Sequence, residues 1–235
     1  MNLFSLDIDW APEEVIEDSL ALFDEYGINC TVFCTHKSGV IDNIRNAKNY
    51  EIGIHPNFMP LMTEAKGNVN ETIKNLLDIF PEAKGVRSHS LVHSSRIDII
   101  YKDFGFNYHS STFLPYWSKI YPYKLWNELV CVPFNFIEDI HYRYGKDYAN
   151  CEIDLRNNPL NVITFHPVNI FLNTDSLDTY TRASKYYHEP KELLRFRNTK
   201  VKGTRDLLVD MLKQHKAIFS NESYTIAQYL NKIEW

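Results

Sequence analysis

Residues 4–10 of the chain read FSLDIDW, an apolar segment with two aspartates at alternate positions. The segment is predicted to form the first β-strand, on which side chains two residues apart face the same side. Asp7 and Asp9 are therefore expected to share one face at the strand end, just before a turn that opens a helix at Pro12. Two such carboxylates oppose each other's ionisation unless a cation or an arginine lies between them. For the pair taken alone, a helix-capping aspartate beside an exposed one is the simpler interpretation.

The composition excludes several classes of protein. A chain of 235 residues is long enough for one large domain, which we expect to span 1–235. The net charge of −5 and a pI near 6.0 provide no broad positive field, so we expect no nucleic-acid partner. No apolar run reaches the roughly 20 residues of a membrane-spanning helix. The N-terminal residues lack a signal-peptide pattern, which predicts a cytoplasmic protein.

Strand and helix patterns alternate along the chain. After the first strand, six more are predicted in segments 30–35, 50–55, 84–89, 106–111, 128–136 and 160–167. Helices are predicted in segments 12–27, 41–48, 64–80, 96–104, 204–215 and 226–233. This alternation is typical of parallel strands joined by helical crossovers, and seven strands predict a closed or nearly closed α/β barrel. The irregular segments 114–124 and 169–198 are expected on the active face, where long loops bind substrate.

Polar residues lie at the predicted ends of four strands. Catalytic groups gather at the carboxyl ends of the strands in such barrels. Any one of these residues is more often packed or exposed without a function. Together they predict a shared site, made of Asp7 and Asp9, His55, Arg87 and His89, and His166.

In the order of its motifs the chain resembles the polysaccharide deacetylases with the NodB homology fold, a superfamily that includes carbohydrate esterase family 4. The resemblance covers most of the chain. Segment 6–9 (LDID) resembles the first motif of this superfamily, segment 51–56 (EIGIHP) the second, segment 85–87 (GVR) the third and segment 163–167 (ITFHP) the last. The phrases IGIHPNF, VRSHSLVHSSRI and FHPVNIFLNT are similar to the WbmS-like branch, which is found with surface-polysaccharide genes. The implied fold is a distorted (β/α)7 barrel in a single domain.

The resemblance also implies an activity and roles for individual residues. These proteins are metal-dependent hydrolases that act on carbon–nitrogen bonds other than peptide bonds. Asp7 is implied as the catalytic base, Arg87 as the residue that holds it, and His166 as the acid. Asp9 and His55 are implied as ligands of a divalent metal, for which Zn²⁺ suits mixed histidine and aspartate ligands.

The chain departs from the pattern of the superfamily at two places. Met59 occupies the position of the second metal-binding histidine, and His89 occupies the position of a proline in the third motif. A catalytic zinc site needs three protein ligands and an open position. We infer that His89, on the same strand face as Arg87, provides the missing nitrogen, the other candidates being His93, His109 and His141.

Three residues are predicted to contact a small-molecule or carbohydrate substrate: Trp10, Asn57 and His141. The predicted reaction removes an acetyl or formyl group from the nitrogen of an amino sugar, or of a sugar intermediate in surface-polysaccharide biosynthesis. Two alternatives are hydrolysis of a non-sugar linear or cyclic amide, and a non-catalytic carbohydrate-binding barrel. The combination of Asp7 with His166 disfavours the last, because binding alone needs neither a base nor an acid.

Overall fold

The computed structural model describes residues 1–151, 153–220 and 222–235. In this part of the chain, the strands form one sheet. They are β1 (Asn2–Asp7), β2 (Cys30–Cys34), β3 (Tyr50–Ile54), β4 (Gly85–Val86), β5 (Tyr108–His109), β6 (Tyr123–Lys124), β7 (Val130–Cys131), β8 (Phe136–Ile137) and β9 (Asn161–Phe165). The order in the sheet is β6-β7-β5-β4-β3-β2-β1-β9-β8, and all neighbours are parallel except β6 and β7.

The extended segment from β7 through β8 joins the two sides of the sheet. Its first half pairs with the segment that contains and follows β5, where the Phe134 N–H donates to the Thr112 carbonyl at 3.0 Å. After its midpoint it pairs with β9, and the Asn135 N–H donates to the Val162 carbonyl at 3.0 Å. Pro133, which has no N–H to donate, lies just before the change. The sheet thereby curls into a distorted (β/α)7 barrel, which confirms the predicted fold class.

Helices cover the outer face of the sheet. In the described residues the α-helices are α1 (Glu13–Tyr26), α2 (Gly39–Ile44), α3 (Met59–Thr63), α4 (Val69–Ile79), α5 (Ser95–Asp103), α6 (Glu138–Arg143), α7 (Pro167–Leu172), α8 (Leu177–Ala183), α9 (Pro190–Leu193), α10 (Thr204–Phe219) and α11 (Ile226–Leu230). None of these helices is long and apolar enough to cross a membrane. Helices pack on one face of β1, and the other face lies in the barrel interior, so every residue of β1 is buried.

Several predicted boundaries are wrong. The helix predicted over 64–80 begins only at Val69, where the Asn68 side chain caps it, and α3 precedes it as a separate helix. The strand predicted over 84–89 ends at Val86. Segment 169–198, predicted as irregular, contains most of α7 and all of α8 and α9. Pro167 and Pro190 open two of these short helices, since a proline is tolerated at the first helical position.

One end of the barrel is closed by α11. The N–H of Ile226 donates to the Thr31 hydroxyl at 2.9 Å, and the N–H of Ala227 donates to the Glu51 carboxylate at 2.8 Å. The Tyr108 hydroxyl reaches the same carboxylate from inside the barrel, at 2.7 Å. The amino ends of the strands are thus sealed, and the predicted site residues lie at the opposite end.

Candidate active site

Asp7 forms a buried ion pair with Arg87 inside the barrel. Asp7 is the last residue of β1 and is 2% exposed, whereas Arg87 follows β4 and is fully buried. The Arg87 Nη1 lies 2.9 Å from the Asp7 Oδ1. Two opposite charges at this depth are tolerated because they are paired with each other and the guanidinium has further hydrogen-bond acceptors.

The guanidinium of Arg87 is held on all sides. Its Nη1 also donates to the hydroxyls of Ser5, at 3.0 Å, and Thr164, at 2.9 Å. Nε and Nη2 donate to the carbonyl and the hydroxyl of Ser110, both at 2.8 Å. The rings of Phe33 and Phe134 lie 4.4 and 4.6 Å from the guanidinium carbon, which adds cation–π contacts. Arg87 therefore fixes the position of the Asp7 carboxylate.

Asp9 projects from a tight turn that follows β1. Asp9 and Trp10 have φ angles of 38° and 57°, in the left-handed region that residues other than glycine rarely adopt. Each such conformation costs on the order of 1 kcal/mol and persists only where neighbours hold it. The Tyr187 hydroxyl donates to the Asp9 carbonyl at 2.6 Å, and the Trp10 N–H donates to the Thr35 hydroxyl at 3.0 Å. The turn places the Asp9 side chain at the mouth of the barrel.

Three histidines surround the Asp9 carboxylate. His55 Nε2 and His89 Nδ1 each lie 3.1 Å from Oδ1, and His166 Nε2 lies 3.5 Å from Oδ2. Burial alone would raise the pKa of Asp9. The charge of His166 and the hydrogen bonds from His55 and His89 outweigh burial and hold the pKa of Asp9 far below its usual range.

The donor atoms of Asp9, His55 and His89 fit a divalent metal. All three lie within 4.8 Å of one another. One carboxylate oxygen and two imidazole nitrogens are ligands that zinc accepts, and three protein ligands leave a position open for water or substrate. His55 is 2% exposed, whereas the side chains of Asp9 and His89 are partly exposed on the open side.

His89 reaches this group in a different way from the one predicted. It does not share a strand face with Arg87, because β4 ends at Val86 and the alternation of side chains ends with the strand. His89 instead opens a 3₁₀ turn, His89–Leu91, and its N–H donates to the Pro56 carbonyl at 2.9 Å. Arg87 points into the barrel, and His89 approaches Asp9 from the loop above it.

His166 is fixed by a buried glutamate. The Glu138 Oε1 accepts the Nδ1–H of His166 at 2.7 Å, the backbone N–H of His166 at 2.9 Å and the Asn169 amide at 2.8 Å. Glu138 is fully buried at the start of α6. Burial alone would lower the pKa of His166, but the negative charges of Glu138 and Asp9 outweigh it and place the pKa well above the usual value. These charges favour a proton on His166, whose Nε2 faces Asp9.

The sequence did not predict this contact. Glu138 follows the sixth predicted strand, and the 28 residues that separate it from His166 along the chain carry no signal of a bond between them. One sequence signal could have placed Glu138 near the site. It is an acidic residue in the first turn of a helix that directly follows a strand, and such a position lies at the carboxyl end of the barrel strands.

A cleft lies over these groups. It consists of two adjoining cavities of about 350 and 280 Å³, which share Asp9, His89, Ser90, Asp139, Arg143 and His166. Asp7 and His55 line the first cavity. The second is lined by three tyrosines, Tyr142, Tyr180 and Tyr187. The cleft therefore offers acidic, basic and metal-ligating groups beside an aromatic wall.

A model of one protein family, described as WbmS-like polysaccharide deacetylase, matches residues 4–184. The chain belongs to this family. It is a hydrolase of the polysaccharide deacetylase type. A comparison with curated protein sequences found no match.

Solved structures show the same similarity. A Bordetella bronchiseptica protein, described as a polysaccharide deacetylase involved in O-antigen biosynthesis, is 30% identical over 91% of this chain and 90% of that chain, with a TM-score of 0.85. Two more distant structures share the fold. A protein described as a polysaccharide deacetylase from Mycobacterium smegmatis is 13% identical over 99% of this chain and 91% of that chain, with a TM-score of 0.55. The 4-α-glucanotransferase of Thermococcus litoralis is 14% identical over 99% of this chain and 38% of that chain, with a TM-score of 0.51.

The three predicted substrate contacts lie in different surroundings in this member of the WbmS-like family. Trp10 is 38% exposed, and its ring centroid lies 5.1 Å from that of His89 at the mouth of the cleft. The Asn57 side chain accepts the Met59 N–H at 2.9 Å and stabilises the turn before α3. His141 is 1% exposed, and its Nδ1 lies 2.9 Å from the Tyr116 hydroxyl. Trp10 therefore touches a residue that lines the cleft on its open side.

Two of the other candidates for the third metal ligand, His93 and His109, belong to a separate group of side chains. His93 and His109 lie beside Asp98 of α5, with ring centroids 4.8 Å apart. Met59 begins α3 and is not among the residues that line the cleft. Of the histidines considered, the structure brings His55, His89 and His166 to Asp9.

Proposed function

We propose that the chain is a metal-dependent hydrolase that removes an acetyl or formyl group from the nitrogen of an amino sugar. The observation that carries this proposal is that a buried carboxylate, Asp7, and an imidazole held by a buried glutamate, His166, line the same cleft around Asp9. Hydrolysis of an amide needs both groups, one to take a proton from water and one to give a proton to nitrogen.

Asp9, His55 and His89 would hold the metal ion, with zinc the best match to their donor atoms. When bound, such an ion polarises the acyl carbonyl and lowers the pKa of water. The remaining steps are assigned to side chains of the chain itself.

Asp7 acts as the base. It takes the proton of the water that attacks the acyl carbon, and its carboxylate is held for this task by Arg87. Because Arg87 is itself fixed by Ser5, Ser110 and Thr164, the base is positioned before substrate arrives.

His166 acts as the acid. Its Nδ1–H is engaged by Glu138, so the proton that is available to substrate is the one on Nε2. This proton passes to the amide nitrogen as the carbon–nitrogen bond breaks. Without it the nitrogen would leave as a strongly basic anion, which is a very poor leaving group. The products are a free carboxylic acid and an amine on the sugar.

The cleft also suggests how a sugar is bound. Trp10 at its mouth and the tyrosines of its wall offer flat apolar faces with polar edges, which suit a sugar ring. We further propose an intermediate of surface-polysaccharide biosynthesis as substrate, since the similar Bordetella bronchiseptica protein is described as involved in O-antigen biosynthesis.

The test is the release of acetate or formate from N-acetyl and N-formyl amino sugars, measured for the wild type and for Asp7→Asn. The substitution removes the base and keeps the shape of the side chain, so turnover is expected to fall at least ~10³-fold while substrate still binds. Asp103→Asn, at an exposed carboxylate of α5, is the matched control and should leave turnover unchanged. Undiminished turnover in Asp7→Asn would remove Asp7 from the mechanism.

A further inference from the structure

A second group of metal-ligating side chains lies outside the cleft, between α5 and β5. It consists of His93, from the turn before α5, Asp98 of the first part of α5, and His109 of β5. One ligand atom from each lies within 4.8 Å of the others. The proposed deacetylation uses none of these residues.

The carboxylate of Asp98 is the centre of the group. His93 Nε2 lies 2.9 Å from Asp98 Oδ1, and His109 Nε2 lies 4.0 Å from the same oxygen. The two imidazole rings are stacked, with centroids 4.8 Å apart and planes 17° apart. Both Nε2 atoms therefore face one carboxylate oxygen, and they come from segments that are separated along the chain.

The ring of His109 leaves a polar atom without a partner. His109 is fully buried, and within the described residues its Nε2 has no hydrogen-bond partner, since 4.0 Å to Asp98 is too long. A buried polar nitrogen without a partner has lost its hydrogen bonds to water and gained none in the protein, which is unfavourable. Asp98 is only 3% exposed, so its carboxylate is also largely withdrawn from water. A cation between them would bind the His109 nitrogen and balance the Asp98 charge at once.

We propose that His93, Asp98 and His109 bind a second divalent transition metal, for which zinc is the best match to two imidazole nitrogens and one carboxylate oxygen. The His93 side chain is 34% exposed, which gives the ion a route from solvent and room for a water ligand. Within the described residues, the acids and bases of the cleft do not line this site. Its role is structural: it ties the start of α5 to β5.

Ligand binding at this site changes one existing contact. The Ser111 N–H donates to His109 Nδ1 at 3.4 Å, a long hydrogen bond that places the imidazole proton on Nε2. Ligation through Nε2 moves this proton to Nδ1 and gives up the Ser111 contact. The change conserves the proton and exchanges one weak hydrogen bond for a metal–nitrogen bond.

The experiment counts zinc ions per chain after saturation with zinc and removal of the excess, in the wild type and in four variants. We expect two ions in the wild type, one in His93→Ala, one in His55→Ala and none in the double variant. His188→Ala, at an exposed histidine that belongs to neither site, is the matched control and should keep two. Zinc should also raise the thermal unfolding midpoint of His55→Ala and not that of the double variant.

The result that overturns the proposal is an equal count in the wild type and His93→Ala, or a wild-type count of one that His55→Ala reduces to zero. If His93→Ala does not fold, anomalous diffraction at the zinc edge from crystals of the wild type decides the question. A peak between Asp98 and His109 supports the site, and its absence overturns it. Neither outcome depends on the deacetylase activity, so this proposal and the proposed function can fail separately.

Discussion

A fully buried arginine needs acceptors for its guanidinium nitrogens, and all three nitrogens of Arg87 find them on Asp7, Ser5, Ser110 and Thr164. A lysine at this position would keep the positive charge but could not reach all of these acceptors from one nitrogen. The residue thus combines two tasks, since the bonds that stabilise the barrel interior also orient the proposed base.

Arg87→Lys is therefore expected to impair both stability and activity. The free energy of unfolding should fall by about 3 kcal/mol, because buried acceptors lose their donors, and kcat should fall by roughly 10²-fold, because Asp7 loses its orientation. Urea unfolding and acetate release measure the two effects. Arg96→Lys, at an exposed arginine of α5, is the control. A variant with wild-type kcat would show that Asp7 needs no fixed partner.

Glu138 acts on the proposed reaction through another residue. Its carboxylate fixes the ring of His166 through Nδ1 and the backbone N–H. Glu138→Gln removes the charge and keeps the size, so we expect kcat to fall by roughly 10²-fold with KM changed less than about threefold. The same change at the exposed Glu25 should alter neither constant. An increase in KM at constant kcat would indicate that Glu138 serves binding and not the acid.

At the scale of single elements, the sequence predicted the centres of strands and helices better than their ends. The apolar runs of β2 and β9 and the capped helix α1 lie where expected. The end of β4 could not be predicted, because its few residues have no alternation long enough to show where it stops. His89 lies beyond this boundary, in a 3₁₀ turn, so it does not share a strand face with Arg87. The prediction that His89 joins the metal site was therefore argued from a strand that does not extend that far.

The start of α4 depends on one side chain. Asn68 Oδ1 accepts the N–H groups of Asn70 at 2.8 Å and Glu71 at 3.3 Å, which otherwise have no partner in the helix. Asn68→Ala is expected to lower the free energy of unfolding by about 1 kcal/mol, as other lost N-caps do. Urea unfolding measures the change, with Asn43→Ala inside α2 as the control. Because α4 contributes no residue to the cleft, kcat should be unaffected.

At the scale of the whole molecule, the sequence predicted seven parallel strands but not how the sheet curls upon itself. The predicted sixth strand contains β7 and β8 and changes its partner between Phe134 and Asn135. Up to Phe134 it pairs with the segment that contains and follows β5, and from Asn135 onward it pairs with β9. Periodicity reports which face a residue occupies and carries no information about the neighbouring strand. The bond between Glu138 and His166 follows from the same change, since the residue after β8 is thereby brought beside the end of β9.

The stability of the whole molecule is also expected to depend on pH through a histidine of the core that lies outside the cleft. His215 of α10 is fully buried against Phe4 and Phe219, and its Nε2–H donates to the Glu222 carbonyl at 3.1 Å. Burial lowers the pKa of His215 from 6.5 to about 4, with the N-terminal amino group adding to the decrease and Glu222 opposing it. The folded state thus binds this proton less readily than the unfolded chain does.

The sign of the effect follows from linkage. Between pH 6.5 and about 4 the unfolded chain binds a proton at His215 that the folded chain does not, so the free energy of unfolding falls as the pH is lowered through this window. Each unit of pKa difference corresponds to 1.36 kcal/mol, which gives a loss of about 3 kcal/mol from this group. Above pH 6.5 both states are neutral at His215 and the contribution is constant.

His215→Gln removes the titration and keeps a donor for the Glu222 carbonyl. Its free energy of unfolding should fall less than that of the wild type as the pH is lowered from 6.5 to 4, although the variant is less stable at pH 7 because the packing against Phe4 is lost. Urea unfolding at half-unit steps of pH measures both curves. Other buried groups, such as His109 with a pKa lowered by burial to about 3, titrate in both proteins. Their contributions to the free energy of unfolding cancel when the two curves are subtracted. Parallel curves would mean that the pKa of His215 is the same in the folded and the unfolded state, and that the interior around α10 admits water.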